Sequence, residues 1–119
     1  MQYMLLIYLN EAEWAGQPPA ELERRRREYD EFGIKTSRSG HLVSGLPLHP
    51  VRTATTLRSS KGRLEMVDGP FAETKEQLAG YYLMEAKDLD EALALARECP
   101  GSKYSTVEVR PCGPPGARA

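Results

Sequence analysis

The chain has 119 residues, with 16 lysines and arginines against 17 aspartates and glutamates, for a formal charge of −1. That length predicts a single domain, and the charge balance lacks the one-sided basic surplus of a nucleic-acid binder. The longest apolar run, Met4 to Leu9, falls far short of a membrane span, so neither nucleic acid nor membrane is expected as a partner.

The N-terminus, "MQYMLLIYLNEAEW", carries no basic leader and no small-residue cleavage site after its apolar run, and reads as a strand. Both parities of Tyr3–Leu9 are apolar, which predicts a strand buried on both faces. A turn-rich loop, "AGQPP", follows. Pro18 and Pro19 then open a helix from about Ala20 to Thr36, because a fixed φ and a missing N–H cost least in the first turn. Leu22, Tyr29 and Phe32 mark its inner stripe. Arg24 to Arg27 are flanked by Glu21, Glu23, Glu28, Asp30 and Glu31 at ion-pair spacings, which predicts a solvated, salt-bridged face.

A short strand is expected over His41–Gly45, then a β-hairpin over roughly Thr53–Val67 turning at Lys61-Gly62. Ala79–Ala86 reads as a further strand, again apolar on both faces over most of its length. In "DLDEALALARECPG", Asp88 and Glu91 have capping-box spacing. Leu89, Ala92, Leu93, Ala96 and Cys99 share one helical face, and Pro100-Gly101 signals the stop. A last strand, "YSTVEVRP", points Val107 and Val109 inward and Glu108 and Arg110 outward.

This order predicts an α+β domain with a largely antiparallel sheet and its two main helices on one face. The second apolar face then needs cover. A second copy of the same sheet is the simplest cover, so a homodimer is expected.

Cys99 and Cys112 are too few for a secreted disulfide framework and have no histidine at ligand spacing. Two reduced thiols, no metal, no cofactor and a cytoplasmic location are expected. His41 and His49 likewise have no partners at metal-ligand spacing.

The chain resembles the YCII-related family, and within it the branch marked by an Asp-Gly-Pro-Phe signature. The matching residues are "DGPFAETKE" at Asp68–Glu76, "GYYLMEAKDLDEALALARECP" at Gly80–Pro100, "VEVRP" at Val107–Pro111 and the "YMLLIY" strand. The resemblance covers nearly all of Tyr3 to Pro111, so a family domain is expected over 1–112, with the Pro/Gly-rich 113–119 expected as a flexible tail. It also implies a ferredoxin-like fold whose sheets pair into a dimeric α/β barrel. Relatives with that architecture include muconolactone isomerases, heme-handling monooxygenases and chlorinated-muconolactone dehalogenases, which bind small molecules inside the barrel. The family association with extracytoplasmic-function sigma factors implies a regulatory setting. A His–Asp pair has been proposed for the broader family, and neither His41 nor His49 stands in a motif matching it.

Each residue of "VDGPFAETKEQ" has a structural task. Asp68 can accept a backbone N–H two residues along, Gly69 and Pro70 set a turn, and Phe71 supplies an aromatic anchor. Thr74 and Gln77 have the spacing to cap a single helical turn. The same loop offers Asp68 as a general base at an apolar lip, with Phe71, Glu73 and Lys75 as ligand contacts. Tyr8, Trp14 and Arg110 complete the candidate binding set, Trp14 as a lid at the barrel mouth. Three functions follow: small-molecule binding near Asp68–Phe71, acid–base catalysis of isomerase or dehalogenase type, or a dimeric adaptor for a sigma factor.

Overall fold

A computed structural model describes residues 1–113. The fold is built around β1 (Gln2–Leu9), which pairs antiparallel with β5 (Gln77–Glu85) on one side and β6 (Thr106–Pro111) on the other. Strand β2 (Leu42–Pro47) adds to the outer edge of β5, so the sheet order is β2-β5-β1-β6 and every neighbour is antiparallel. β1 and β2 are parallel with β5 between them, and β5 and β6 are parallel with β1 between them. This split βαβ arrangement is the ferredoxin-like topology.

The connections supply the helices, α2 (Pro19–Arg38) and α3 (Leu89–Glu98). Pro19 stands at the first helical position as its fixed φ favours. Phe32 and Thr36 enter the core one turn apart, and the Thr36 hydroxyl donates to the Phe32 carbonyl at 2.8 Å. At α3 the Asp88 carboxylate accepts from the Glu91 N–H at 2.9 Å, and the Glu91 carboxylate accepts in return from Lys87 N–H at 3.1 Å. The core is one cluster between sheet and helices: Tyr3, Leu5, Ile7, Met84 and Ala86 meet Phe32, Ala92, Leu95, Ala96 and Cys99. Tyr82 packs edge-on to Phe32 with ring centroids 5.2 Å apart.

Several expectations need correcting. The "AGQPP" loop is preceded by a short helix, α1 (Glu11–Ala15), because the Asn10 side chain accepts from Glu13 N–H and caps it. Leu95, not Leu89, faces the core from α3, and Leu89 is exposed. Pro100 ends α3 but begins another helical turn, α4 (Gly101–Tyr104). The tail residues 114–119 lie outside the described residues.

The hairpin forms with its turn at Lys61-Gly62, both at positive φ as a tight primed turn requires. Its strands, β3 (Thr55–Ser60) and β4 (Arg63–Asp68), make a separate two-stranded sheet outside the main one. Among the described residues, this arm packs substantially against no other element. It stretches the molecule to 46 × 42 × 20 Å with a radius of gyration of 16.1 Å, against about 13–14 Å expected for a compact chain this long.

Candidate functional site

Strand alternation divides the side chains of β1 cleanly. Tyr3, Leu5 and Ile7 are buried under the helices, while Met4, Leu6 and Tyr8 are half-buried on the opposite side. Residues directly opposite in an antiparallel ladder share a face. Leu83 and Tyr81 of β5, Leu46 of β2, and Thr106, Glu108 and Arg110 of β6 therefore join Met4, Leu6 and Tyr8. Among the described residues, no helix covers this face. Its centre is apolar and its β6 side is polar.

The polar side is organised by hydrogen bonds. The Tyr8 hydroxyl donates to the Glu108 carboxylate at 3.1 Å, and the Thr106 hydroxyl donates to Glu76 at 2.7 Å. Partial burial and the Glu108 carboxylate push the Tyr8 phenol pKa up, with Arg110 opposing them, so the phenol stays a proton donor at neutral pH. Arg110 forms no ion pair among the described residues. Tyr8 and Arg110 thus lie on one surface.

Lys75 lies near this end of the sheet through its backbone, where its carbonyl accepts from Asn10 Nδ2 at 3.4 Å. Helix α1 clamps both ends of the arm there: Glu11 N–H donates to Gln77 Oε1 at 2.9 Å, and Glu11 Oε2 accepts from Val51 N–H at 3.0 Å. Trp14 sits in α1 and leans toward α2, with the Arg25 guanidinium 5.5 Å from its ring centre. It makes contact with α2 rather than roofing the open sheet face.

The Asp68–Phe71 turn differs from its expected form. The residue two beyond Asp68 is Pro70, which has no N–H to offer, and the Asp68 carboxylate makes no hydrogen bond among the described residues. Gly69 holds the turn instead. Its N–H donates to the Ala54 carbonyl at 2.6 Å, its own carbonyl accepts from the Thr56 hydroxyl at 2.8 Å, and its φ of +96° suits glycine. Phe71 is not a core anchor: it is 75% exposed. Glu73 and Lys75 are exposed as well. Thr74 and Gln77 bond to each other's neighbourhood without forming a helical turn.

Two features escaped the sequence reading. Arg25 does not belong to a solvated face. It is 7% exposed, bonded to Glu21 at 3.0 Å and Glu13 at 3.3 Å, with its guanidinium 4.4 Å from the Tyr104 ring centre. The carboxylates outweigh desolvation and hold its pKa above the ordinary arginine value. The second feature is a relay on the helix side: Ser39 Oγ lies 2.7 Å from His41 Nδ1, and His41 Nε2 lies 3.4 Å from Glu91 Oε1. It borders an open groove of about 260 Å³ between α2 and α3, beside Lys35 and Glu98. No local spacing could reveal it, since Glu91 comes from the other end of the chain. No cluster of three or more metal-ligating side chains occurs among the described residues.

The sequence matches the YCII-related domain over residues 1–114, and the chain belongs to that family. An uncharacterized protein of Rhizobium meliloti (strain 1021) is 42% identical over 113 residues, covering 93% of this chain and 91% of the relative. Among solved structures, the chain is similar to a 5-chloro-2-hydroxyhydroquinone dehydrochlorinase from Burkholderia phenoliruptrix AC1100, determined with 2,5-dihydroxybenzoquinone. That alignment covers 95% of this chain and 94% of the other, at 16% identity and a TM-score of 0.49. A likeness this loose carries no chemistry across.

Proposed function

We propose that this protein is a homodimer binding a small, largely apolar molecule with an acidic group on the helix-free sheet face. The supporting observation is the make-up of that face. Met4, Leu6, Tyr81 and Leu83 offer an apolar bed, and at its side stand a phenol paired to a carboxylate and an arginine with no ion-pair partner among the described residues. A site of mostly apolar lining with a few convergent polar groups is the usual form of a small-molecule site. On one copy the face is open. A second sheet stacked on it, in the manner of a dimeric α/β barrel, closes it. Asp68, Phe71, Glu73 and Lys75 belong to the exposed turn at the base of the arm, and the Asp68–Phe71 signature is the ground for placing the chain in that branch of the family.

Isothermal titration with a panel of aromatic and unsaturated carboxylic acids tests the reading. At least one acid should bind, and Arg110→Met should weaken it about tenfold or more, the worth of one charge-assisted contact. Equal binding by Arg110→Met, or no binding by any member, rejects this reading.

Acid–base catalysis is the second reading, favoured by the Ser39–His41–Glu91 relay, in which a carboxylate orients an imidazole beside a groove. Under that reading, His41→Gln abolishes turnover of any substrate found. Activity retained by His41→Gln would reject it. A sigma-factor adaptor is the third reading, and it rests on the family resemblance alone.

A further inference from the structure

The arm is amphipathic. Its cross-strand pairs are Leu57 with Met66, Ser59 with Leu64 and Thr55 with Asp68 on one face, and Arg58 with Glu65, Ser60 with Arg63 and Thr56 with Val67 on the other. Leu57, Leu64 and Met66 are 61%, 71% and 74% exposed. Together they leave on the order of 300–400 Å² of apolar surface in water, at the size where a patch marks an interaction site. A lone two-stranded hairpin is at best marginally stable in water, yet this one is held out from the body at a fixed root by Glu11, which binds Val51 on one side and Gln77 on the other.

We propose that the β3–β4 arm reaches across to a second copy of this chain and packs Leu57, Leu64 and Met66 against it, beside the stacked sheets. The proposal rests on the homodimer described above and adds to it the element that embraces the partner. A second copy fits for two reasons. Among the described residues the chain has two uncovered apolar surfaces, the arm and the open sheet face, and one two-fold axis covers both in both copies at once. The area also matches the need. A stable interface takes roughly 800 Å² from each partner. The arm adds its own apolar surface to whatever the four-stranded sheet face supplies toward that figure.

Sedimentation equilibrium on wild type and on the triple variant Leu57→Lys/Leu64→Lys/Met66→Lys tests this, with amide hydrogen exchange on the wild type beside it. The expected result is a wild-type dimer, a variant whose dissociation constant rises about 100-fold or more, and arm amides protected in the dimer but not on dilution to monomer. Circular dichroism confirms that the variant keeps its body. A variant that dimerises as tightly as wild type overturns the role of the arm and leaves the sheet-stacked dimer standing. Unprotected arm amides in a wild-type dimer overturn it too, and free the arm for a different partner. A wild-type monomer at micromolar concentration rejects the homodimer itself, and the arm with it.

Discussion

Arg25 shows how a side chain can contradict its own neighbourhood. In a run of four arginines flanked by glutamates, every local signal says solvent, yet this one turns inward between Trp14 and Tyr104. Long stems and flat guanidinium planes allow that burial when aromatic faces and carboxylates receive them. Arg25→Ala should destabilise by about 2–3 kcal/mol, less than a fully buried pair because Glu13 and Glu21 keep contact with water. Arg25→Lys should cost about 1 kcal/mol, since an ammonium cannot stack or fork. Urea unfolding separates the two, and a cost under about 0.5 kcal/mol for Ala would return Arg25 to the surface. Asp68 is the reverse case. Its position promised a turn acceptor, but Gly69 carries the turn, so Asp68→Ala and Asp68→Asn should both melt within about 0.5 kcal/mol of wild type at monomer concentrations. A loss of about 1 kcal/mol or more in Ala alone would mean that the carboxylate caps a backbone group after all.

At the scale of elements, periodicity made most of the fold readable. The two-sided apolar pattern of β1 and β5, the Pro-opened α2 and the Asp88–Glu91 cap of α3 each have a local cause, so each is visible locally. What stayed hidden depends on distant parts. Five residues of α1 carry too little pattern to stand out, and the exposure of Phe71 reflects where the arm points rather than what the residue is. The relay of His41 with Glu91 needs α2 and α3 to be packed before it exists. Gly80 belongs to the same class. A Cβ there would lie 2.9 Å from the Leu46 carbonyl oxygen and 3.2 Å from the Pro47 Cα, opposite the bulge at Ile7/Tyr8. Backbone cannot retreat as a side chain can, so Gly80→Ala should cost about 1–3 kcal/mol and loosen β2 from β5. Hydrogen exchange should show that loosening at Leu46 and Leu48, and unchanged exchange there would mean that the edge strand absorbs the clash.

For the whole molecule, the core sets the response to alkali. Burial pushes the Cys99 thiol from 9.0 up to about 11 and the Tyr82 phenol from 10.0 up to about 12, and it raises Tyr29 as well. The unfolded chain loses these protons first, so between the unfolded and folded pKa values it binds fewer protons than the native state, and stability falls as pH rises. Denaturation free energy should therefore show no decline from these groups below about pH 9, and then drop through pH 9–12. Cys99→Ala should remove the earliest part of that drop, and an identical alkaline profile would show that Cys99 is not the group responsible. The same burial keeps Cys99 slow toward thiol reagents at neutral pH, while Cys112 is half-exposed.

The point where the arm leaves the body also bears on how such a chain can change over generations. β2 and β5 are adjacent and antiparallel, and beyond their last pair the Leu48 N–H still donates to the Ala79 carbonyl at 2.7 Å. Strands in that relation need only a tight turn to join them. The residues from His49 to Glu76 are therefore an insertion that the ladder does not require, free to lengthen, shorten or alter its apolar face while the strands on either side stay paired. Lineages sharing this body can diverge in that one segment without disturbing the sheet beneath it.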